Sequence, residues 1–344
     1  MNINIFDYCL PKELIAQSPS DPRDSSRLLV LHRSSGVIEH SSVNCLGNFL
    51  RAGDLLVLND SRVIPARLFG KPINAEGKVE FLLIRRIRPL VWQALGRPGR
   101  KLKVKERYRI GPQNMGIETR ILERCNDGTF IISLSTEEHM DRWGEVPLPP
   151  YIHTRLDDPE RYQTVFANEL GSAAAPTAGL HFTRELMANL ASQGINHAYI
   201  TLHVGLDTFR PVEVEDPRNH KIHTEYFSID GTTVSAINST IRAGGRIVAV
   251  GTTSVRTLEQ AALWSQSGKP YSLSPVSGWA NLLILPGYRF RLVDAMMTNF
   301  HLPRSTTLML TSAYAGRDCL MDAYKTAIGM GYRFCSFGDG MIII

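Results

Sequence analysis

Three of the ten histidines stand where apolar runs meet turns. They are His181 in Gly171-Ser-Ala-Ala-Ala-Pro-Thr-Ala-Gly-Leu-His-Phe-Thr183, His203 just before Val204-Gly205, and His301 in Thr298-Asn-Phe-His-Leu-Pro303. Imidazoles carry protons near neutral pH, so each is a candidate acid or base. The competing reading is hydrogen-bonded packing, the commoner fate of a lone histidine on an apolar face. A second polar group, Asn59-Asp60-Ser61-Arg62, closes an apolar run. Asp60 there suits a base or a ribose acceptor, and Arg62 a phosphate or a stacked ring. The same Asn-Asp pair equally suits a turn whose side chains bond nearby backbone N–H groups. Asp339, flanked by glycines in Phe337-Gly-Asp-Gly-Met341, has the same two readings.

Val248-Ala-Val-Gly-Thr-Thr-Ser-Val-Arg-Thr-Leu-Glu259 reads as a buried strand that passes through a small-residue turn into a helix. The free N–H groups and positive dipole end of such a helix face any ligand at the strand's C-terminal edge. Thr252, Thr253 and Arg256 are then donors; otherwise one of the threonines is simply the N-cap. Neither a Gly-x-Gly-x-x-Gly nor a Gly-x-x-x-x-Gly-Lys-Ser stretch occurs, so the standard dinucleotide and P-loop signatures are absent. The small residues of 171–183 let backbone approach a planar ligand closely, with Thr177 to His181 on the rim.

Metal chemistry finds little support. The five cysteines are scattered, with no Cys-x-x-Cys pair, which argues against structural zinc or a disulfide framework. His220, His223 and Glu225 imitate a ligand cluster, but not in the order of a zincin helix. A solvated or substrate-facing strand accounts for them better.

These residues need elements to hold them. At 344 residues, 43% hydrophobic and 21% charged, the chain suits a soluble globular protein of two domains, or one domain with an insert. The N-terminus lacks the basic start and apolar run of a signal peptide, and no apolar stretch is long enough to span a bilayer, so a cytoplasmic protein is expected. Gly53 to Phe69 reads as strand, polar turn, strand. From about 64 to 140 short strands follow at close spacing with no helix between them, as in a small barrel.

Beyond Glu145-Val-Pro-Leu-Pro-Pro-Tyr-Ile152 the texture changes. Thr183 is an N-cap, Phe182 and Met187 form a staple, and Gly194 closes the helix. Strands at Ala198 to Val204, Arg246 to Val250, Asn281 to Leu285 and near Tyr332 to Phe337 alternate with helices at about 234–243, 252–265, 305–315 and 317–329. Such alternation implies a largely parallel arrangement. The fold class expected is α/β: a large mixed-sheet domain of residues 1–62 and 150–344, with an inserted small β-barrel domain of residues 63–149.

The net charge of +5 is concentrated. Between Arg85 and Arg109 lie ten Lys or Arg residues against the single acid Glu106. A basic face of this kind neutralises phosphates, or is only a solvated surface.

Several stretches together resemble the S-adenosylmethionine:tRNA ribosyltransferase-isomerase family of queuosine biosynthesis. They are Phe6-Asp-Tyr8, Leu10-Pro11, Ala16-Gln17, Arg23 to Arg27, Gly53 to Leu68, Gly144 to Ile152, Gly171 to Thr183, Leu202 to Phe209, Gly251 to Glu259, Thr298 to Thr306 and Gly338-Asp339. The run after Trp279 and Gly340 depart from the family's usual pattern.

The resemblance implies transfer and isomerisation of the ribosyl part of S-adenosylmethionine onto 7-aminomethyl-7-deazaguanine at the tRNA wobble position. The products are epoxyqueuosine in tRNA, adenine and methionine. It also implies a monomer without metal or other cofactor, S-adenosylmethionine being consumed. The chemistry needs a base for a proton made acidic by the sulfonium, an acid for adenine departure, and a site closed to water. The candidates are His181, His203, His301 and Asp60 for proton transfer. Asn59, Arg62, Thr177, Gly179, Thr252, Thr253, Arg256, Asn299 and Asp339 are candidates for substrate contact, and Arg97, Arg100, Lys101 and Lys103 for tRNA phosphates. The rivals are a non-catalytic RNA-binding protein with a basic barrel, and a nucleotide enzyme with no RNA partner.

Overall fold

The computed structural model describes residues 1–205, 211–222, 224–265 and 272–344, so His223 and the end of the Leu202 to Phe209 stretch lie outside the described residues. Two compact units form, one of residues 1–61, 149–169 and 176–344, the other of residues 62–148 and 170–175. Residues 170–175 lie with the second unit, where the Ile64 N–H donates to the Ser172 carbonyl at 2.9 Å.

The larger unit is built on a nine-stranded sheet. Its order is Val276–Ala280, Glu225–Ile229, Asn196–Leu202, Leu55–Asn59, Ile247–Val250, Ala295–Asn299, Gly340–Ile343, Arg27–His32, Val37–Ser42. The four strands from Asn196–Leu202 to Ala295–Asn299 run parallel. The pairings outside them are antiparallel, except that Gly340–Ile343 runs parallel to Arg27–His32. The sheet is therefore mixed, and the largely parallel arrangement is confined to its centre.

Burial explains the apolar runs. Leu55–Asn59, Ile247–Val250 and Ala295–Asn299 are buried at every position, because central parallel strands are covered on both faces. Leu56, Leu58, Val248, Val250 and Met297 share a core with Phe182, Leu186 and Leu190. The last three belong to the helix Arg184–Ser192 and its entry, and Thr183 caps it by accepting from the Leu186 N–H at 3.0 Å.

Two expected strands are displaced. Asn281 to Leu285 is not a strand: the N–H groups of Asn281 and Leu282 donate to the Gln260 side chain at 3.1 Å, leaving the strand at Val276–Ala280. The terminal strand is Gly340–Ile343 rather than 332–337. The Asp339 carboxylate accepts from the N–H groups of Arg333 (2.8 Å) and Arg27 (3.1 Å), which folds 332–338 into a turn.

The second unit is a closed antiparallel barrel. Arg67–Pro72, Val79–Arg88, Val91–Arg97, Phe130–Leu134, Ile117–Arg124 and Arg107–Ile110 pair in turn, and the last pairs back on the first. Alternate residues point inward, with Phe81, Tyr108 and Phe130 at the centre. Among the described residues no helix is long and apolar enough to cross a membrane.

Candidate active site

Parallel strands end on a common edge, and here four neighbouring ones do so with polar residues. Asp60 follows Leu55–Asn59, His203 follows Asn196–Leu202, Gly251 follows Ile247–Val250, and Asn299 ends Ala295–Asn299 with His301 just beyond. This is where open α/β sheets hold their ligands.

Asn59 holds that edge together. Its amide donates to the Leu202 carbonyl (3.0 Å) and accepts from the N–H groups of Leu202 (3.0 Å) and Ser61 (3.1 Å). The side chain thus extends the strand ladder past its last backbone pair, a structural task. Asp60 is different. One carboxylate oxygen accepts from Thr201 Oγ1 at 2.8 Å, and burial pushes its pKa up, with Glu169 and Asp230 adding to the rise. Asp60 also lines a groove of about 530 Å³ with Phe166, Asn168, Met187 and Tyr199.

His181 is buried and bonded at both ring nitrogens. Asn299 Oδ1 accepts from Thr177 Oγ1 (3.0 Å), so the Asn299 amide N–H₂ faces the ring and donates to Nε2 at 3.2 Å. Nε2 is then the bare nitrogen and Nδ1 carries the hydrogen, donated to Ser26 Oγ at 2.7 Å. Burial drives the His181 pKa down to about 4, helped by Arg333 and Arg23 and opposed by Asp339. The ring is a neutral post that fixes Asn299 and, through it, Thr177. Gly179 in the same turn is required by packing: a Cβ there would lie 2.9 Å from both Phe166 and Thr164.

His301 is held in a similar way. Its Nε2 bonds Thr298 Oγ1 at 2.9 Å, its N–H donates to Tyr324 Oη at 2.9 Å, and Tyr8 donates to its carbonyl. Burial lowers its pKa to about 3. His203 differs from both. Its ring stacks on Tyr226 at 5.9 Å, burial lowers its pKa, and its buried Nδ1 has no hydrogen-bond partner among the described residues.

The helix Thr252–Trp264 starts at Gly251, whose φ of +90° places it in the left-handed region and which offers no side-chain cap. Thr252 and Thr253 are therefore inside the helix, and neither is the N-cap. Thr253 Oγ1 is buried without a partner among the described residues.

Arg256 is committed to Glu225 at 2.5 Å and to the Ala280 carbonyl at 3.0 Å, while Glu225 also accepts from the Gly205 N–H at 2.6 Å. Asp339 is committed as well, clamped between Arg27 (3.0 Å) and Arg333 (3.7 Å). The alternative of a ligand contact loses ground at both positions.

Glu225, read from the sequence as part of an imitation ligand cluster on a solvated or substrate-facing strand, is instead buried against Arg256, while Glu259 carries no sign of its role in residue type alone. Glu259 is fully buried and accepts from Tyr288 Oη (3.0 Å) and the N–H groups of Arg291 (2.9 Å), Leu292 (3.0 Å) and Val293 (3.2 Å), pinning that loop to the helix. Its spacing of four from the apolar Val255 was the available signal, since it places an acid beside the buried stripe.

Arg62 belongs to the barrel unit, as does the basic run. There Leu102 is buried, anchoring a loop from which Arg97, Arg100, Lys101 and Lys103 all project into solvent. Arg86 and Arg107 are paired with Glu137 (2.5 Å) and Glu118 (3.1 Å). The four tRNA candidates make no ion pair among the described residues.

The family described as Queuosine biosynthesis protein matches residues 3–343. A Symbiobacterium thermophilum protein named S-adenosylmethionine:tRNA ribosyltransferase-isomerase is 51% identical, with all of both chains covered. Proteins of that name from Staphylococcus haemolyticus (49%) and Dehalococcoides mccartyi (50%) match over the same full extent. The crystal structure of S-adenosylmethionine tRNA ribosyltransferase from Thermotoga maritima is 38% identical, covers 99% of this chain and 100% of its own, and superposes with a TM-score of 0.56.

Proposed function

Because the chain belongs to the queuosine biosynthesis protein family, we propose that it is an S-adenosylmethionine:tRNA ribosyltransferase-isomerase. In this reading it moves and isomerises the ribosyl part of S-adenosylmethionine onto 7-aminomethyl-7-deazaguanine at the wobble position of a tRNA, and adenine and methionine leave. The observation that carries the reading is the gathering of Asp60, His203, Thr253 and Asn299 at the C-terminal ends of four adjacent parallel strands.

The residues divide by what their partners leave available. Burial lowers the His203 pKa and its Nδ1 has no partner among the described residues, while Asp60 keeps a second carboxylate oxygen beyond the Thr201 bond. These two are the proton-transfer residues of the proposal: one takes the proton acidified by the sulfonium, the other serves adenine departure. Thr253 and the first-turn N–H groups of its helix suit a hydrogen-bond-accepting or anionic part of the substrate. His181 and His301 act through Asn299, Thr177 and Thr298, as positioning residues. Arg97, Arg100, Lys101 and Lys103 meet tRNA phosphates. The same reading takes the protein as a cytoplasmic monomer that needs no metal.

The test is adenine release from S-adenosylmethionine in the presence of tRNA that carries the precursor base. Adenine that appears only with tRNA supports the reading. tRNA binding without adenine points to an RNA-binding protein, and adenine without tRNA to a nucleotide enzyme; either result overturns it.

A further inference from the structure

One face of the strand Asn196–Leu202 buries Ala198, Ile200 and Leu202; the other carries His197, Tyr199, Thr201 and, just past its end, His203. That second face is left partly open. At its end, three rings line up across three neighbouring segments of chain. The His203 N–H donates to the Tyr226 carbonyl at 2.9 Å, and the His203 ring lies nearly parallel to Tyr226, 5.9 Å away at 22°. Tyr226 in turn sits directly opposite Trp279 in the antiparallel pairing, so both side chains point to the same face, with ring centroids 5.7 Å apart at 72°. Trp279 is 45% exposed, although a tryptophan at a sheet edge gains more by burial.

A row of rings across an open sheet face is the geometry that receives unpaired bases by stacking. The row leads from a solvent-exposed indole to a histidine whose buried Nδ1 lacks a partner among the described residues. Thr201, two residues before His203 on the same face, bonds Asp60. The row therefore ends at the proposed proton-transfer pair.

We propose that Trp279, braced edge-to-face by Tyr226 and through it by His203, offers its exposed ring as a stacking surface for an unpaired tRNA base beside the one being modified. This rests on the tRNA reading above. Phosphate contacts from the basic loop supply affinity that depends on salt; the aromatic row supplies affinity that depends on an unstacked base.

The experiment measures binding of an anticodon stem-loop RNA by fluorescence anisotropy at several salt concentrations, with the full-length protein and its Trp279→Ala and Trp279→Phe variants. Base stacking on an aromatic side chain predicts a loss of roughly ten- to hundredfold for Trp279→Ala, with the salt slope unchanged. Trp279→Phe keeps a ring and should stay within a few-fold of wild type. A blunt RNA duplex, which offers no unpaired base, should bind both variants as it binds wild type. In the wild-type protein, emission from Trp279, isolated by subtracting the Trp279→Phe spectrum, should be quenched by the stem-loop. This readout holds even if the alanine variant folds poorly.

Stem-loop affinity within twofold of wild type for Trp279→Ala, equal losses for loop and duplex, or absent quenching would each overturn the platform. Failure of the functional reading is distinct, because it shows as absent adenine release by the wild-type protein.

Discussion

His181 offers a prediction whose size follows from its surroundings. Its ordinary pKa of 6.5 falls to about 4 because the ring is buried, with Arg333 and Arg23 adding to the fall, and its Nε2 already faces an amide donor. Protonation would set N–H against N–H, or force Asn299 to turn and give up Thr177. A base whose folded pKa is depressed binds fewer protons folded than unfolded, so its contribution to stability is complete above about 6.5 and is lost as pH falls towards the folded value.

A tenfold difference in proton affinity between the folded and unfolded chain is worth about 1.4 kcal/mol, so His181 alone costs the fold about 1.4 kcal/mol on going from neutral pH to 5.5 and about 3 kcal/mol by pH 4. The direct assay is the titration of the His181 ring by NMR, with urea denaturation midpoints between pH 4 and 7.5 beside it. An ordinary pKa near 6.5 would refute the argument, and so would an acid limb that His181→Gln leaves unchanged. Asn299→Asp is the converse: a carboxylate against Nε2 should bring the His181 pKa back up, and a pKa that stays low would show that the Asn299 contact is irrelevant.

Asp60→Asn removes a carboxyl whose pKa burial has raised, so turnover should fall by roughly 10² to 10⁴ if the group transfers a proton. As the base, Asp60 must be ionised, so the wild-type rate would decline as pH falls through the raised pKa; as the acid it must be protonated, so the rate would decline as pH rises through it. Either limb should be missing from the residual rate of the variant, and near-normal turnover removes Asp60 from the mechanism. Glu225→Gln removes the carboxylate that neutralises Arg256, whose side chain is only 12% exposed, and should cost about 3–5 kcal/mol of unfolding free energy. Much of that should return in Glu225→Gln combined with Arg256→Met; a single-variant loss below 1 kcal/mol would show that water reaches the pair. Charge reversal at Arg100 and Lys101 should weaken tRNA binding and lower its salt slope by about one for each phosphate no longer neutralised, while leaving S-adenosylmethionine affinity alone. An unchanged slope would mark the loop as solvated surface.

Period and punctuation made much of the architecture legible. Thr183 and Gly194 bracket a helix of the expected kind, and continuous apolar runs such as Ile247–Val250 proved to be central strands. The misplaced segments share one cause. Asn281 and Leu282 have strand-like composition, yet their N–H groups are taken by a glutamine from another element. Residues 332–337 are apolar because they are buried, but the Asp339 carboxylate folds them into a turn. Long-range side-chain capture of backbone groups leaves no periodic trace in a sequence.

The site shows the same division between residue type and partner. Chain position alone was enough to bring Asp60, His203, Thr253 and Asn299 to one edge, because strand ends in a parallel sheet are a topological consequence. Which of them still has an unused donor or acceptor depended on residues far away in the chain. Ser26 and Asn299 occupy both nitrogens of His181, Glu225 occupies Arg256, and Arg27 with Arg333 occupies Asp339. A buried polar group that is already satisfied gains little from a ligand, whereas an unsatisfied one carries a desolvation cost of about 1–3 kcal/mol that a ligand can relieve. Candidates with unmet hydrogen-bonding capacity therefore rank above those of equally suggestive type. By that criterion His203 Nδ1 and Thr253 Oγ1, both buried without a partner among the described residues, rank first among the candidates at this edge.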